Sequence, residues 1–182
     1  MIEVLHLQRH VVVRRRSAQT RSLMRGKTVV ITGGTSGIGE VAAVALAKMG
    51  ARIILVARDK SRGDATLARL RDSAPGIAHS VHFADLLRLA EMKRVAAQIA
   101  DHESRIDILI NNAGALFATR RLTEDGLECT FALNHMAYFV MTEGLRERLS
   151  AAGPARIINT ASAAHQGRWI SMISNLQKAS DP

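Results

Sequence analysis

Residues 28–49 run from an apolar strand through a glycine-rich turn directly into an amphipathic helix, and few folds accommodate that order. Thr28-Val-Val-Ile-Thr32 is continuously apolar inside its ends, as a strand covered on both faces requires. The turn, Thr32-Gly-Gly-Thr-Ser-Gly-Ile-Gly39, spaces its glycines G-x-x-x-G-x-G, unlike the G-x-G-x-x-G of many dinucleotide folds. At a helix start, free backbone N–H groups and the helix dipole favour an anionic diphosphate. Glycine lets the backbone turn sharply and approach such a ligand with no Cβ in the way. Gly33, Thr35, Ser36, Gly37, Ile38 and Gly39 are therefore the candidate diphosphate-binding residues. Glycines that merely close a loop are the competing reading, and the strand before and helix after weigh against it.

The same alternation continues to the end of the chain. Apolar residues Ile38, Val41, Ala42, Ala45, Leu46 and Met49 recur at helical spacing and predict one core-facing stripe, ended by Gly50. Arg52-Ile-Ile-Leu-Val-Ala57 predicts a second strand, with a helix over 65–71 stopping before Pro75-Gly76. Ser80-Val-His-Phe-Ala84 predicts a third, followed by a helix that buries Met92, Val95, Ala96 and Ile99. Ile106-Asp-Ile-Leu-Ile110 and Arg156-Ile-Ile-Asn-Thr160 complete five strands, with one long helix expected over 126–149. Successive β-α-β units make a parallel α/β sheet. Residues 27–182 read as one domain, and 182 residues suffice to bury a sizeable core.

Charge is uneven. Six arginines face one acid before Lys27, giving that segment +5 of the formal +9, so residues 1–26 read as a basic, disordered leader. Such an arm can touch phosphates non-specifically or resemble a targeting segment, but no specific nucleic-acid partner is expected. No run nears the roughly 18 apolar residues of a membrane span. One cysteine, Cys129, excludes an internal disulfide framework, fits a cytoplasmic location and reads as a small buried apolar group. His79 and His82 lack companion ligands, so no metal is expected; a solvated strand edge is the better reading.

Four motifs in chain order resemble the short-chain dehydrogenase/reductase family, in its retinol dehydrogenase-like branch. They are the glycine turn, Asp85-Leu86 after the third strand, Asn111-Asn-Ala-Gly114 after the fourth, and Ile157-Ile-Asn-Thr-Ala-Ser162. Thr123-Glu-Asp-Gly-Leu-Glu128 and Asn134-His135 are similar to that branch. The resemblance implies a Rossmann-type doubly wound parallel sheet, ending here after its fifth strand. It implies that Asp85 and Leu86 lie near an adenine, that Asn112, Ala113 and Gly114 line the cofactor cleft, and that Ser162 and Asn134 serve catalysis. In the family the serine orients the substrate oxygen and the asparagine holds a water. Asn134 also stands inside the apolar stripe of Leu127, Phe131, Tyr138, Met141 and Leu145, which predicts a buried amide with its hydrogen bonds satisfied.

Cofactor choice turns on the end of the second strand, where an NAD site places a carboxylate for the ribose hydroxyls. Here that position is Ala57, followed by Arg58, whose forked guanidinium suits a 2′-phosphate. NADP(H) is therefore expected over NAD(H), with Asp59 starting the next helix. The resemblance further implies a tyrosine and a lysine four residues on as the acid–base pair, but the single tyrosine, Tyr138, is followed at that spacing by Thr142. His165 is a weak substitute. Two readings follow: a hydride-transferring oxidoreductase for an apolar alcohol or carbonyl, inactive as this chain alone, or a non-catalytic nucleotide- or partner-binding module. Trp169, Ile170, Met172, Ile173 and Leu176 and the open edge of the fifth strand suggest a homo-oligomer or a complementing chain.

Overall fold

A computed structural model describes residues 23–162. Within them β1 (Thr28–Thr32), β2 (Arg52–Ala57), β3 (Ser80–Phe83), β4 (Ile108–Asn111) and β5 (Arg156–Asn159) form one parallel sheet in the order β3-β2-β1-β4-β5. The expected α/β, Rossmann-like fold is present. Most of the expected leader, His165 and the apolar residues from Trp169 to Leu176 lie outside the described residues.

Side chains alternate across the sheet and define two cores. Val29, Ile31, Ile53, Leu55 and Ile110 face α1 (Gly37–Lys48) and α2 (Lys60–Ser73). Val30, Ile54, Val56 and Leu109 face α3 (Leu89–His102) and α5 (Ala137–Gly144). Helices on both faces explain why these strands are apolar throughout rather than alternating. In α3, Met92, Val95, Ala96 and Ile99 are all buried, as their spacing predicts.

The stripe expected for α1 is met only in part: Ala42 and Leu46 pack against the core. Ile38 and Val41 are 76% and 70% exposed, and the residues turned to the sheet are Gly39, Ala43 and Ala47. The turn before the helix sets its rotation, and it presents the small residues to the strands. His79 also departs from expectation, being 5% exposed rather than solvated. Its Nδ1 accepts the Ile53 N–H at 3.0 Å, so the neutral ring carries its proton on Nε2. Burial first, then the charge of Arg52, lowers its pKa below the ordinary histidine value. Cys129 is buried, as expected of a small apolar group.

The long helix expected over 126–149 is broken. It comprises α4 (Cys129–Phe131), a π-helical segment (Ala132–Met136), α5, and α6 (Arg146–Ala151). β4 begins two residues later than expected, because the buried Ile106 gives its N–H to the Arg148 carbonyl at 2.8 Å. Beside Ile106, burial pushes the Asp107 carboxyl up, but bonds from Lys27 Nζ (2.7 Å) and the Thr28 N–H (2.9 Å) outweigh it and hold its pKa below the ordinary value. Among the described residues β5 has one neighbour, β4, and Ile157 and Ile158 are exposed.

Candidate functional site

Chain connections leave β1 towards β2 on one side and return beside β1 at β4, so the sheet reverses its strand order between β1 and β4. Open α/β sheets bind ligands outside the carboxyl ends of their strands at such a point. The glycine turn after β1 and the Asn111-Asn-Ala-Gly114 segment after β4 meet here, and contact between them dictates the residue types. Gly33 has φ +66°, and a Cβ on it would stand 2.7 Å from Ala113 Cα. A Cβ on Gly39 would stand 2.3 Å from Asn112 Nδ2 and 2.4 Å from the Gly33 carbonyl oxygen. Gly37 has φ +54° but open space around its Cβ position, so conformation rather than crowding calls for glycine there.

The helix start that results suits an anion. Ser36 occupies the N-cap position in extended conformation, yet its side chain makes no capping bond. The first-turn amides of α1 therefore keep capacity for another acceptor. Thr35 is half-buried, whereas Ser36, Gly37 and Ile38 are exposed around that opening. Glu40, the one acid in the first turn, is ion-paired with Arg69 of α2.

A polar lattice joins the strand ends. Thr32 Oγ1 accepts the N–H groups of Asn112 and Ala113, each at 3.0 Å. Asn112 Nδ2 donates to the carbonyls of Thr32 (3.2 Å) and Gly33 (3.1 Å), and its Oδ1 accepts from Thr160 Oγ1 at 3.3 Å. Beneath it the fully buried Asn111 donates through Nδ2 to Asn159 Oδ1 (2.9 Å) and Thr142 Oγ1 (3.2 Å). Thr32, Thr142, Asn159 and Thr160 did not emerge from sequence reasoning as site residues. A polar residue ending each of three otherwise apolar strands was the available signal.

The remaining candidates are spread along the same edge of the sheet. Arg58 is exposed just beyond β2, and Ala57 before it is buried. Asp59 caps α2, accepting the Arg62 N–H at 2.8 Å, so its carboxylate serves the helix as expected. Asp85 and Leu86 follow β3, next to the end of β2 through the bond from Ala84 N–H to the Ala57 carbonyl at 2.9 Å. Asp85 is half-buried and Leu86 buried.

Asn134 is not buried, which corrects the expectation from its stripe. It stands in the π-helical segment, where a wider turn shifts it out of helical register. Its amide is nonetheless bonded at both its oxygen and its nitrogen: Oδ1 accepts the Ala115 N–H and Nδ2 donates to the Ala115 carbonyl, both at 2.9 Å. A Cβ on Gly114 would come within 3.0 Å of the same Oδ1. Thus Gly33 meets Ala113, Gly39 meets Asn112, and Gly114 meets Asn134. Ser162 is exposed beyond β5. Tyr138 donates its hydroxyl to the Thr160 carbonyl at 3.3 Å, and burial pushes the phenol above its ordinary value. Among the described residues no group of three or more histidine, cysteine or acidic side chains could hold a metal, and no helix is long and apolar enough to cross a membrane.

Comparison with known proteins places this geometry. A family model described as short chain dehydrogenase matches residues 27–174. Human retinol dehydrogenase 13 is 39% identical over 146 residues, covering 80% of this chain and 44% of that protein. The chain thus spans under half the length of that relative. The solved structure of the Pseudomonas aeruginosa RhlG/NADP active-site complex is 33% identical with a TM-score of 0.68, covering 80% of this chain and 57% of that one. That of the NADH-dependent reductase A1-R′ responsible for alginate metabolism is 30% identical with a TM-score of 0.67, covering 79% and 61%.

Proposed function

The chain belongs to the short-chain dehydrogenase family, and from that premise we propose that it is the nucleotide-binding part of an oxidoreductase, taking NADP(H) in preference to NAD(H). One observation carries this reading: the glycine turn is pressed through Gly33 and Gly39 against Ala113 and Asn112 at the strand-order reversal, with an uncapped helix start facing outward. The first-turn amides of α1 hold the diphosphate. Asp85 and Leu86 bound the adenine, and Asn112, Ala113 and Gly114 line the cleft towards the nicotinamide. In a complete enzyme, nicotinamide held there would supply or accept a hydride at an alcohol or carbonyl carbon.

The preference for NADP(H) rests on Arg58, whose exposed guanidinium follows a buried alanine where an NAD site has a carboxylate. Asp59, the next residue in the chain, gives its carboxylate to the Arg62 N–H. Ser162 orients the substrate oxygen and Asn134 orders a water. An apolar alcohol or carbonyl is the proposed substrate class, supported by the likeness to a retinol dehydrogenase. The chain's single tyrosine donates its hydroxyl to Thr160 and lacks a lysine four residues on. We accordingly propose that this polypeptide alone binds nucleotide without turning it over.

Calorimetric titration with NADPH and NADH at matched salt tests the reading. NADPH is expected to bind the tighter, with the difference largely erased in Arg58→Ala. NADH binding equally well overturns the cofactor preference, and no heat with either nucleotide overturns the reading as a whole. Oxidation of NADPH by a lipophilic aldehyde on this chain alone would overturn the claim about turnover.

A further inference from the structure

The sequence segment 123–126, Thr-Glu-Asp-Gly, has no part in the site described above, yet its side chains reach across the fold. α3 follows directly on Asp85 and Leu86, and its N-cap position is Arg88, which has extended backbone and makes no side-chain cap. A helix of 14 residues so started would leave its first amides without a protein partner. The partner comes instead from 36 residues away: Asp125 Oδ2 accepts the Leu89 N–H at 2.9 Å. Glu124 pairs with Arg88, Oε1 to Nε at 2.5 Å and Oε2 to Nη2 at 3.1 Å.

Both partners of this contact are internally braced. Thr123 Oγ1 accepts the N–H groups of Asp125 (3.2 Å) and Leu127 (3.3 Å), and the Thr123 carbonyl accepts that of Gly126, which has φ +75°. On the other side Asp85 Oδ1 accepts the Leu87 N–H and its carbonyl accepts that of Arg88, each at 3.1 Å. Residues 85–89 are thus a short bridge pinned at its start by Asp85 and at its end by Asp125. A carboxylate at a helix N-terminus gains from both the hydrogen bond and the helix dipole, whereas the exposed Arg88–Glu124 pair contributes little.

We propose that residues 123–126 form a clasp in which Asp125 caps α3 in trans and so holds Asp85 and Leu86 in place for the adenine. Asp125 is a positioning residue, acting through the Leu89 amide. The proposal rests on the cofactor reading given above, and its test separates the two. Hydrogen exchange at the Leu89 amide is measured without nucleotide, alongside NADPH affinity and the melting midpoint, for the unaltered chain, Asp125→Ala and Asp125→Asn.

Asp125→Ala is expected to speed Leu89 exchange and weaken NADPH binding, each by about fivefold, the size of a lost N-cap. Asp125→Asn, which retains a capping oxygen, is expected to restore both. Loss of Leu89 protection and affinity together supports the clasp. A lower melting midpoint with unchanged affinity overturns it, because general destabilisation would give that result. Unchanged exchange overturns it too. Should Asp125→Ala not fold, Thr123→Val, which removes the side-chain bonds to the Asp125 and Leu127 amides, is expected to give the same pair of changes in weaker form. Failure of the unaltered chain to bind NADPH sinks the cofactor reading and the adenine role with it, while Leu89 exchange still decides whether Asp125 caps the helix.

Discussion

The two faces of the sheet are packed by different rules. On the α3 and α5 face, large side chains such as Met92, Ile99, Met141 and Leu145 fill the space between helices and strands. On the α1 and α2 face, the helices come close: α1 meets the sheet through Gly39, Ala43 and Ala47, and a Cβ on Gly63 of α2 would stand 2.5 Å from the Phe83 ring. Hydrophobic spacing located the buried stripe on the first face and caught only its Ala42 and Leu46 on the second. The difference teaches that α1 is oriented by its turn. Because Gly39 abuts Gly33 and Asn112, the helix cannot rotate to bury Ile38 and Val41, and their apolar surface stays outside.

Three substitutions would break or sharpen this contrast. The largest effect is expected for Ile99→Ala, which empties the large-residue face and should cost about 2–5 kcal/mol in urea unfolding while leaving nucleotide affinity in the surviving folded protein unchanged. A loss under about 1 kcal/mol would mean that this face is not the rigid core described.

Gly39→Ala comes next. Alanine is the better helix former by about 1 kcal/mol, so propensity alone predicts a gain. The overlap with a backbone oxygen at 2.4 Å predicts a net loss, since overpacking typically costs about 1–3 kcal/mol. Nucleotide binding is expected to disappear with it, and a more stable, nucleotide-competent variant would show that the turn does not set the helix. The smallest effect belongs to Val41→Ser, expected within about 0.5 kcal/mol in either direction because the side chain is exposed. A cost above about 1 kcal/mol would reveal that something covers this surface.

Much of the fold was legible because its signals are local. β1, β2 and β4 are apolar runs that a buried parallel strand requires, and α3 declares its face through four residues at helical spacing. The glycines of the turn were legible for a related reason. Gly33 and Gly37 adopt positive φ, a demand that a single residue type meets at little cost. What was not legible depends on neighbours distant in sequence. The π-helical segment at Asn134 broke an apparently continuous helix, and the partner of that side chain is the backbone of Ala115, 19 residues earlier. The burial of His79 likewise depends on Ile53, 26 residues earlier, whose N–H meets its Nδ1.

By itself the sequence determined the family, the order of the elements and the turn positions, Gly33 and Gly37, whose positive φ calls for glycine. These follow from backbone conformation and from side-chain periodicity, which are properties of neighbours along the chain. Tertiary structure alone decided which side of α1 is buried, which oxygen caps α3, and how Thr32, Asn111, Asn112 and Thr160 tie three strand ends into one platform. Those outcomes rest on hydrogen bonds and close contacts between residues tens of positions apart, and linear spacing holds no information about which distant donor will meet which acceptor.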